Sequence, residues 1–312
     1  MAKQRKQQKN QRKQRAKKGN VMQIYRQPQL GRLRPKRATA NVCSAICSSI
    51  DPFCASACGS KSMDTNTVPT IPYTIKYRTS ITTDTGGQKV VQVKPSLVNF
   101  IRSSATFSGG SVVSTWNTSA SVPEYANLAV YFDQYRIVSS GLRVFCSAAM
   151  SESQGQVIMA LSREDDVFDT ASSNYNDIRV FGLNGLDATM ISKATGPESD
   201  SWNTLNSQSE RLHMFVAVVG GAPATSVAGV EVTLNVEFIP KVGLGTRLAT
   251  TAPAVPRAIK DAQERVERRT PAIMDGPSEG RSKTMMQYAA EAMSWAADHP
   301  AEIVAGLSYL GL

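Results

Sequence analysis

The stretch Ile75-Lys76-Tyr77-Arg78-Thr79-Ser80-Ile81-Thr82-Thr83 alternates Ile, Tyr, Thr and Ile with Lys, Arg, Ser and Thr. A period of two residues places successive side chains on opposite faces of an extended chain, so the alternation predicts a half-buried β-strand. The turn-forming run Asp84-Thr85-Gly86-Gly87 follows and leads into a second β-rich run, Lys89–Lys94. The two runs together predict a β-hairpin.

The same texture continues along the chain, as short β-rich runs bounded mostly by Gly, Pro, Ser or Asn. The further strand candidates are Tyr135–Ser147, Gln156–Ser162, Leu186–Ser192, Arg211–Gly220 and Gly229–Pro240. Seven or eight strands in about 165 residues are typical of an antiparallel sandwich. The sequence therefore predicts an all-β fold over residues 75–240, a single eight-stranded antiparallel sandwich of which the jelly roll is one form.

The charge is concentrated at the N-terminus. Residues 1–37 contain fourteen of the 35 basic residues and none of the 25 acidic ones, so the remaining chain holds 21 basic and 25 acidic residues and carries −4. The composition of residues 1–42 predicts a largely disordered basic arm, because few apolar side chains are present to pack against a core. Its basic residues are Lys3, Arg5, Lys6, Lys9, Arg12, Lys13, Arg15, Lys17, Lys18, Arg26, Arg32, Arg34, Lys36 and Arg37.

Such an arm can bind phosphates without regard to base sequence. A solubilising tail or a localisation signal would have a similar composition. The density of charge favours nucleic acid, and Tyr25 alone could stack a base, so sequence-specific readout is not expected. We interpret the arm as an RNA-binding segment.

Four cysteines lie within residues 43–74, a helical or linker segment, and are Cys43, Cys47, Cys54 and Cys58. The spacing of each pair, i and i+4, puts both sulfurs on one face of a short helix. Asp51-Pro52 is typical of a helix start and Gly59 of a helix end. Three interpretations stay open, namely small buried thiols, disulfides formed once the protein has left the reducing cytosol, and a zinc cluster.

An acidic run is the one other candidate metal site. Asp165, Asp166 and Asp169 offer hard oxygen ligands that could hold calcium between subunits, although a solvated loop has the same composition. The two histidines, His213 and His299, lie near no recognised nucleophile motif, and the sequence predicts no catalytic site.

The sequence of residues 241–312 predicts a linker followed by helices. Lys241–Pro256 is rich in Gly, Thr, Ala and Pro, whereas Arg257–Arg269 and Met285–Asp298 have helical patterns. The second pattern is amphipathic, and such a face usually packs on a protein core. A transient membrane contact is the alternative, because residues that favour the headgroup boundary occur here, Trp295 and Tyr309.

Three stretches sharpen the interpretation, Asp51-Pro52-Phe53-Cys54 with Gly59 and Lys61 after it, the run from Tyr135 to Val144, and Val236-Glu237-Phe238-Ile239-Pro240. In order and spacing they resemble the coat proteins of nodaviruses and of related tombus-like and noda-like RNA viruses. The resemblance implies a jelly roll that self-assembles into an icosahedral T=3 virion, with the arm facing single-stranded genomic RNA, after assembly in the host cytoplasm.

The chain departs from that family in two respects. About seventy residues follow Pro240 and read as linker and helix, which leaves no room for the protruding surface domain of some relatives. Nodavirus coat proteins resemble slow autoproteases that cut an Asn-Ala bond near the C-terminus, but no Asn follows Asn235 here. We therefore transfer neither a cleavage site nor a catalytic Asp. A cellular RNA-binding protein with a β-sandwich body is the main alternative function, and a non-viral self-assembling cage or adhesin-like sandwich is a third.

Overall fold

The computed structural model describes residues 47–62, 68–104, 116–163, 175–194, 201–243 and 270–276, together with Ala249, Glu264, Glu267 and Arg268. The structural statements below concern these residues. The predictions for the basic arm, for Cys43, for the three aspartates of the acidic run and for the amphipathic tail lie outside them.

The described residues form twelve strands, a seven-residue α-helix and one short 3₁₀ turn at Ala55–Ala57, and residues 47–50, Glu264, Glu267 and Arg268 are also helical. Helix α1 spans Tyr125–Tyr131. The strands are β1 (Ile71–Thr82), β2 (Lys89–Val93), β3 (Ile101–Ser104), β4 (Thr118–Ala120), β5 (Phe132–Cys146), β6 (Gln156–Ser162), β7 (Asp177–Gly182), β8 (Asp187–Ser192), β9 (Asn203–Thr204), β10 (His213–Val219), β11 (Ser226–Pro240) and β12 (Ile273–Asp275).

The strands build two antiparallel sheets. The first sheet has the order β1-β11-β5-β8-β12 with β9 beside β5, and the second has the order β4-β3-β2-β10-β6-β7. Eight principal strands occur in the chain order β1, β2, β5, β6, β7, β8, β10, β11. The first, eighth, third and sixth of them form one sheet, and the second, seventh, fourth and fifth form the other, which is the jelly-roll arrangement. The predicted all-β sandwich is confirmed.

The predicted hairpin between the first two strands is wrong. β1 pairs with β11, with Ile75 opposite Leu234, whereas β2 pairs with β10 and β3 in the other sheet. Turn residues fix where the chain reverses, but they do not choose the partner of each strand. β1 has twelve residues and can pair along most of its length with β11, which has fifteen. β2 has only five residues, so a β1–β2 ladder would contain far fewer backbone hydrogen bonds.

Side-chain alternation divides the first sheet into an apolar and a polar face. Along β11, one set of side chains faces the second sheet and is at most 1 % exposed, namely Val230, Val232, Leu234, Val236 and Phe238. Burying each contributes roughly 1.5–3 kcal/mol. The residues between them, Glu231, Thr233, Asn235 and Glu237, face away from the second sheet. We call this polar side the outward face of the first sheet.

The loop between β1 and β2 docks on the loop after β10 through glycine backbone. Gly87 has a positive φ of 71°, and a Cβ placed on it would lie 2.1 Å from the carbonyl oxygen of Gly221. The N–H of Gly221 donates to the carbonyl of Gly87 at 2.9 Å. This close approach holds the chain where it crosses between the sheets.

Gly87→Ala should lower the free energy of unfolding by at least about 2 kcal/mol, because left-handed backbone costs an L-residue about 1–2 kcal/mol and the new Cβ must also displace backbone. Chemical denaturation measures the change. Gly182→Ala is the matched control, since no atom lies within 4 Å of its added Cβ. Equal stabilities of the two variants would contradict this account of the crossing.

Candidate functional site

Residues 47–62 lie on the outward face of the first sheet. Residues 47–50 are helical, and the N–H of Asp51 donates to the carbonyl of Cys47 at 2.8 Å. The carboxylate of Asp51 then accepts the N–H of Phe53 at 3.0 Å, which turns the chain sharply before the 3₁₀ turn. Gly59 leaves this turn with a φ of 76°, a conformation that glycine adopts without strain.

The turn at Pro52 and Phe53 fits against the sheet at a glycine. A Cβ on Gly141 would lie 2.8 Å from a ring carbon of Phe53 and 3.2 Å from Pro52, so only glycine leaves room for this contact. Asn235 fixes the same turn, because its side-chain nitrogen donates to the carbonyl of Pro52 at 3.1 Å. The segment is thus bound both by shape and by a hydrogen bond.

Beside this contact lies a buried ion pair between β5 and β11. Nε of Arg136 lies 2.7 Å and Nη2 lies 2.6 Å from Oε2 of Glu237, and the two side chains are 2 % and 0 % exposed. The guanidinium also lies over the ring of Trp202, 4.4 Å from its centroid. Removing two charges from water is costly, so every remaining lone pair of the carboxylate needs a donor.

The chain entering β1 supplies those donors. The hydroxyl of Thr70 donates to Oε1 of Glu237, and the N–H of Ser62 donates to Oε2 at 3.3 Å. Lys61 completes the arrangement, since its Nζ donates to the carbonyl of Thr70 at 2.8 Å and to its hydroxyl at 2.9 Å. We call residues 47–62 and Thr70, with their contacts on Gly141, Asn235, Arg136 and Glu237, the N-terminal clamp.

Burial lowers the pKa of Lys61 below its ordinary value of 10.5. Glu237 opposes this shift by attracting the ammonium, and the nearby Arg136 guanidinium reinforces it by repulsion. The folded protein therefore holds the charged lysine less readily than the unfolded chain does.

Four charges farther along the outward face are paired at its surface. Arg143 makes a bidentate contact with Asp187, with both distances 2.8 Å, and approaches Glu231 at 3.7 Å. Arg78 also pairs with Glu231. These contacts leave no excess of positive charge among the four residues, so they do not form a phosphate-binding patch.

The structure describes three of the four clustered cysteines. Cys47 and Cys54 are half-buried and Cys58 is exposed, whereas Cys43 lies outside the described residues. Within the described ranges, no group of three or more His, Cys, Asp or Glu residues could hold a metal ion. The disulfide or metal cluster at these cysteines stays a prediction, as does calcium at the acidic run.

Sequence reasoning did not identify the buried ion pair, although two of the stretches singled out above contain its members. Arg136 lies between Tyr135 and Ile137, and Glu237 lies between Val236 and Phe238. The available signal was a charge between two apolar neighbours in each of two strands, with opposite signs in the two strands. The structure brings all three of those stretches together in the N-terminal clamp.

Glu237→Gln should lower the free energy of unfolding by about 3–5 kcal/mol, because it removes one charged partner of a buried ion pair. Glu231→Gln is the matched control on the same strand and face, where Arg78 is 74 % exposed and the expected loss is about 1 kcal/mol or less. Chemical denaturation measures both. A loss for Glu237→Gln no larger than the control would refute the assigned role of the ion pair.

The lowered pKa of Lys61 predicts a pH dependence. Between its folded-state pKa and 10.5 the unfolded chain binds more protons, so the contribution of Lys61 to stability rises with pH in that window. Lys61→Met should remove this rise. Unfolding free energies at about pH 8 and about pH 10 measure it, and the same difference in both proteins would argue against the burial of the ammonium.

Comparisons with known proteins show the fold alone. No family model matches the chain, and no curated protein matches it. Among the described residues, no helix is long and apolar enough to span a membrane.

Solved structures of infectious bursal disease virus match most of the chain. Its T13 viral particle aligns with a TM-score of 0.56 at 12% identity over 82% of this chain and 98% of that chain. Its VP2 subviral particle aligns with a TM-score of 0.53 at 12% identity over 81% and 99%, and its T=1 particles with 0.53 at 11% over 78% and 95%. The chain therefore has the fold of a viral protein that forms icosahedral particles.

Proposed function

We propose that this chain is the coat protein of a small icosahedral RNA virus, whose jelly roll self-assembles into the shell and whose basic arm packages single-stranded RNA. The main support for the proposal is that two features occur in the same chain. A jelly roll with the fold of a particle-forming viral protein follows an arm with fourteen basic residues and no acidic one.

The division of charge supports separate roles for arm and body. Residues 38–312 carry −4, so the body has no general attraction for a polyanion, and the arm must supply it. Counterion release makes such binding strong and indifferent to sequence, which suits the packaging of a whole genome.

The N-terminal clamp has a part in this function. It fixes the chain that follows the arm to strands β5 and β11, which lie at the centre of the first sheet. A genome held by the arm would pull on this point, and release of the chain would remove the Thr70 and Ser62 donors from the buried Glu237 carboxylate, which is costly. We expect the outward face of the first sheet to point toward the RNA.

Several finer features belong to the same proposal. The particle would be a T=3 virion assembled in the host cytoplasm. Asp165, Asp166 and Asp169 would bind calcium between subunits, and Met285–Leu312 would make a transient membrane contact during entry. The clustered cysteines would be oxidised or bind metal after assembly.

The full chain should sediment as closed particles that contain RNA, whereas a variant lacking residues 1–37 should stay folded and package little RNA. A length-matched control replaces the fourteen basic residues with Gln, and it separates charge from chain length. The ultraviolet absorbance ratio of purified particles measures RNA content. The slope of log affinity against log salt should approach about −10 if all fourteen charges meet phosphates, at about 0.7 per phosphate on single strands.

Two results would count against the proposal. A monomer that binds RNA would favour the cellular RNA-binding alternative, since a shell cannot consist of a single copy. Particles of the Gln variant with undiminished RNA would show that the body packages the genome without the charge of the arm.

A further inference from the structure

Among the described strands, β7 is the last strand at one edge of the second sheet. Strand β7 pairs with β6 through the register Gln156 to Gly182 and Leu161 to Asp177. In the part of the chain that the structure describes, no strand pairs with the other side of β7. An edge of this kind presents unpaired backbone N–H and C=O groups, which can bind a further strand.

The outward side of this edge is apolar. Ile178 is 42 % exposed and Val180 is 57 % exposed. The register sets Ile178 opposite Ala160, which belongs to a small buried apolar cluster on the side of the second sheet that faces away from the core, with Val90, Phe215 and Ala217. The two exposed side chains thus extend a buried apolar surface to the unpaired edge.

The charges of β7 favour one particular partner, a second β7. Asp177 and Arg179 lie two residues apart and so share the other face of the strand. If two β7 strands run antiparallel with Ile178 opposite Ile178, Asp177 of each copy faces Arg179 of the other. Shifting the centre to Arg179 or to Asp177 would set like charges opposite each other, which destabilises a strand pair.

We propose that β7 forms a two-fold contact with β7 of a second copy of this chain, centred on Ile178. The contact joins the second sheet of one copy to the second sheet of the other copy. It buries Ile178 and Val180 and makes two opposite-charge pairs between the copies. Such a self-complementary contact is the kind that a closed symmetric assembly uses. This inference rests on the proposed function, since it names one contact by which copies associate in the shell.

Charge reversal tests the register. Arg179→Asp and Asp177→Arg each turn two attractive contacts into two repulsive ones at every two-fold axis, so we expect particle yield to fall at least about tenfold. The double variant carries both changes, restores opposite charges across the axis, and should recover most of the yield. Sedimentation velocity measures the yield, and circular dichroism and thermal melting check that each variant folds.

Cross-linking tests the contact independently of particle formation. Ile178→Cys should give covalent dimers with a short bismaleimide well above the background of the unsubstituted chain, and Met150→Cys, at a site 88 % exposed, should not. The contact would be overturned if the charge reversals left particle yield unchanged and Ile178→Cys gave no covalent dimers. The shell proposal would be unaffected by that result. Dimers without particles would support the contact and overturn the shell. Neither particles nor dimers would overturn both.

Discussion

The burial of one charged pair, Arg136 with Glu237, constrains much of the surrounding structure. Neither side chain is more than 2 % exposed, and the carboxylate needs donors beyond the guanidinium. Those donors come from Thr70 and Ser62, so the ion pair is complete only when the chain before β1 lies on the sheet. Thr70 and Glu237 are 167 residues apart, and their contact ties the beginning of the sandwich to its last long strand.

The two sheets present different outer surfaces. The outward face of the first sheet is polar, and the N-terminal clamp covers part of it through Gly141 and Asn235. The outer side of the second sheet is apolar around Phe215 and stays exposed at Ile178. In a shell, the first surface would hold the chain that leads to the RNA, and the second would meet another copy. One sandwich can thus serve both the genome and the assembly.

The sequence revealed strands better than it revealed their partners. The bounds Gln156–Ser162 were predicted correctly, because Gly155 precedes a short apolar run and the charged residues Arg163 and Glu164 follow it. The hairpin failed because the partner of β1 is β11, far along the chain. Strand β7 was missed since Asp177 and Arg179 dilute its apolar pattern, as is common at an edge. The ion pair depends on the register of β5 against β11, which no local pattern encodes.

A cryo-electron microscopy reconstruction of purified full-length chain would show whether the jelly rolls form a shell around RNA. We expect closed icosahedral shells of jelly rolls, with RNA density inside and with residues 47–62 on the inner side of each subunit. Isolated monomers with bound RNA, or shells in which residues 47–62 lie on the outer surface away from the RNA, would contradict this expectation.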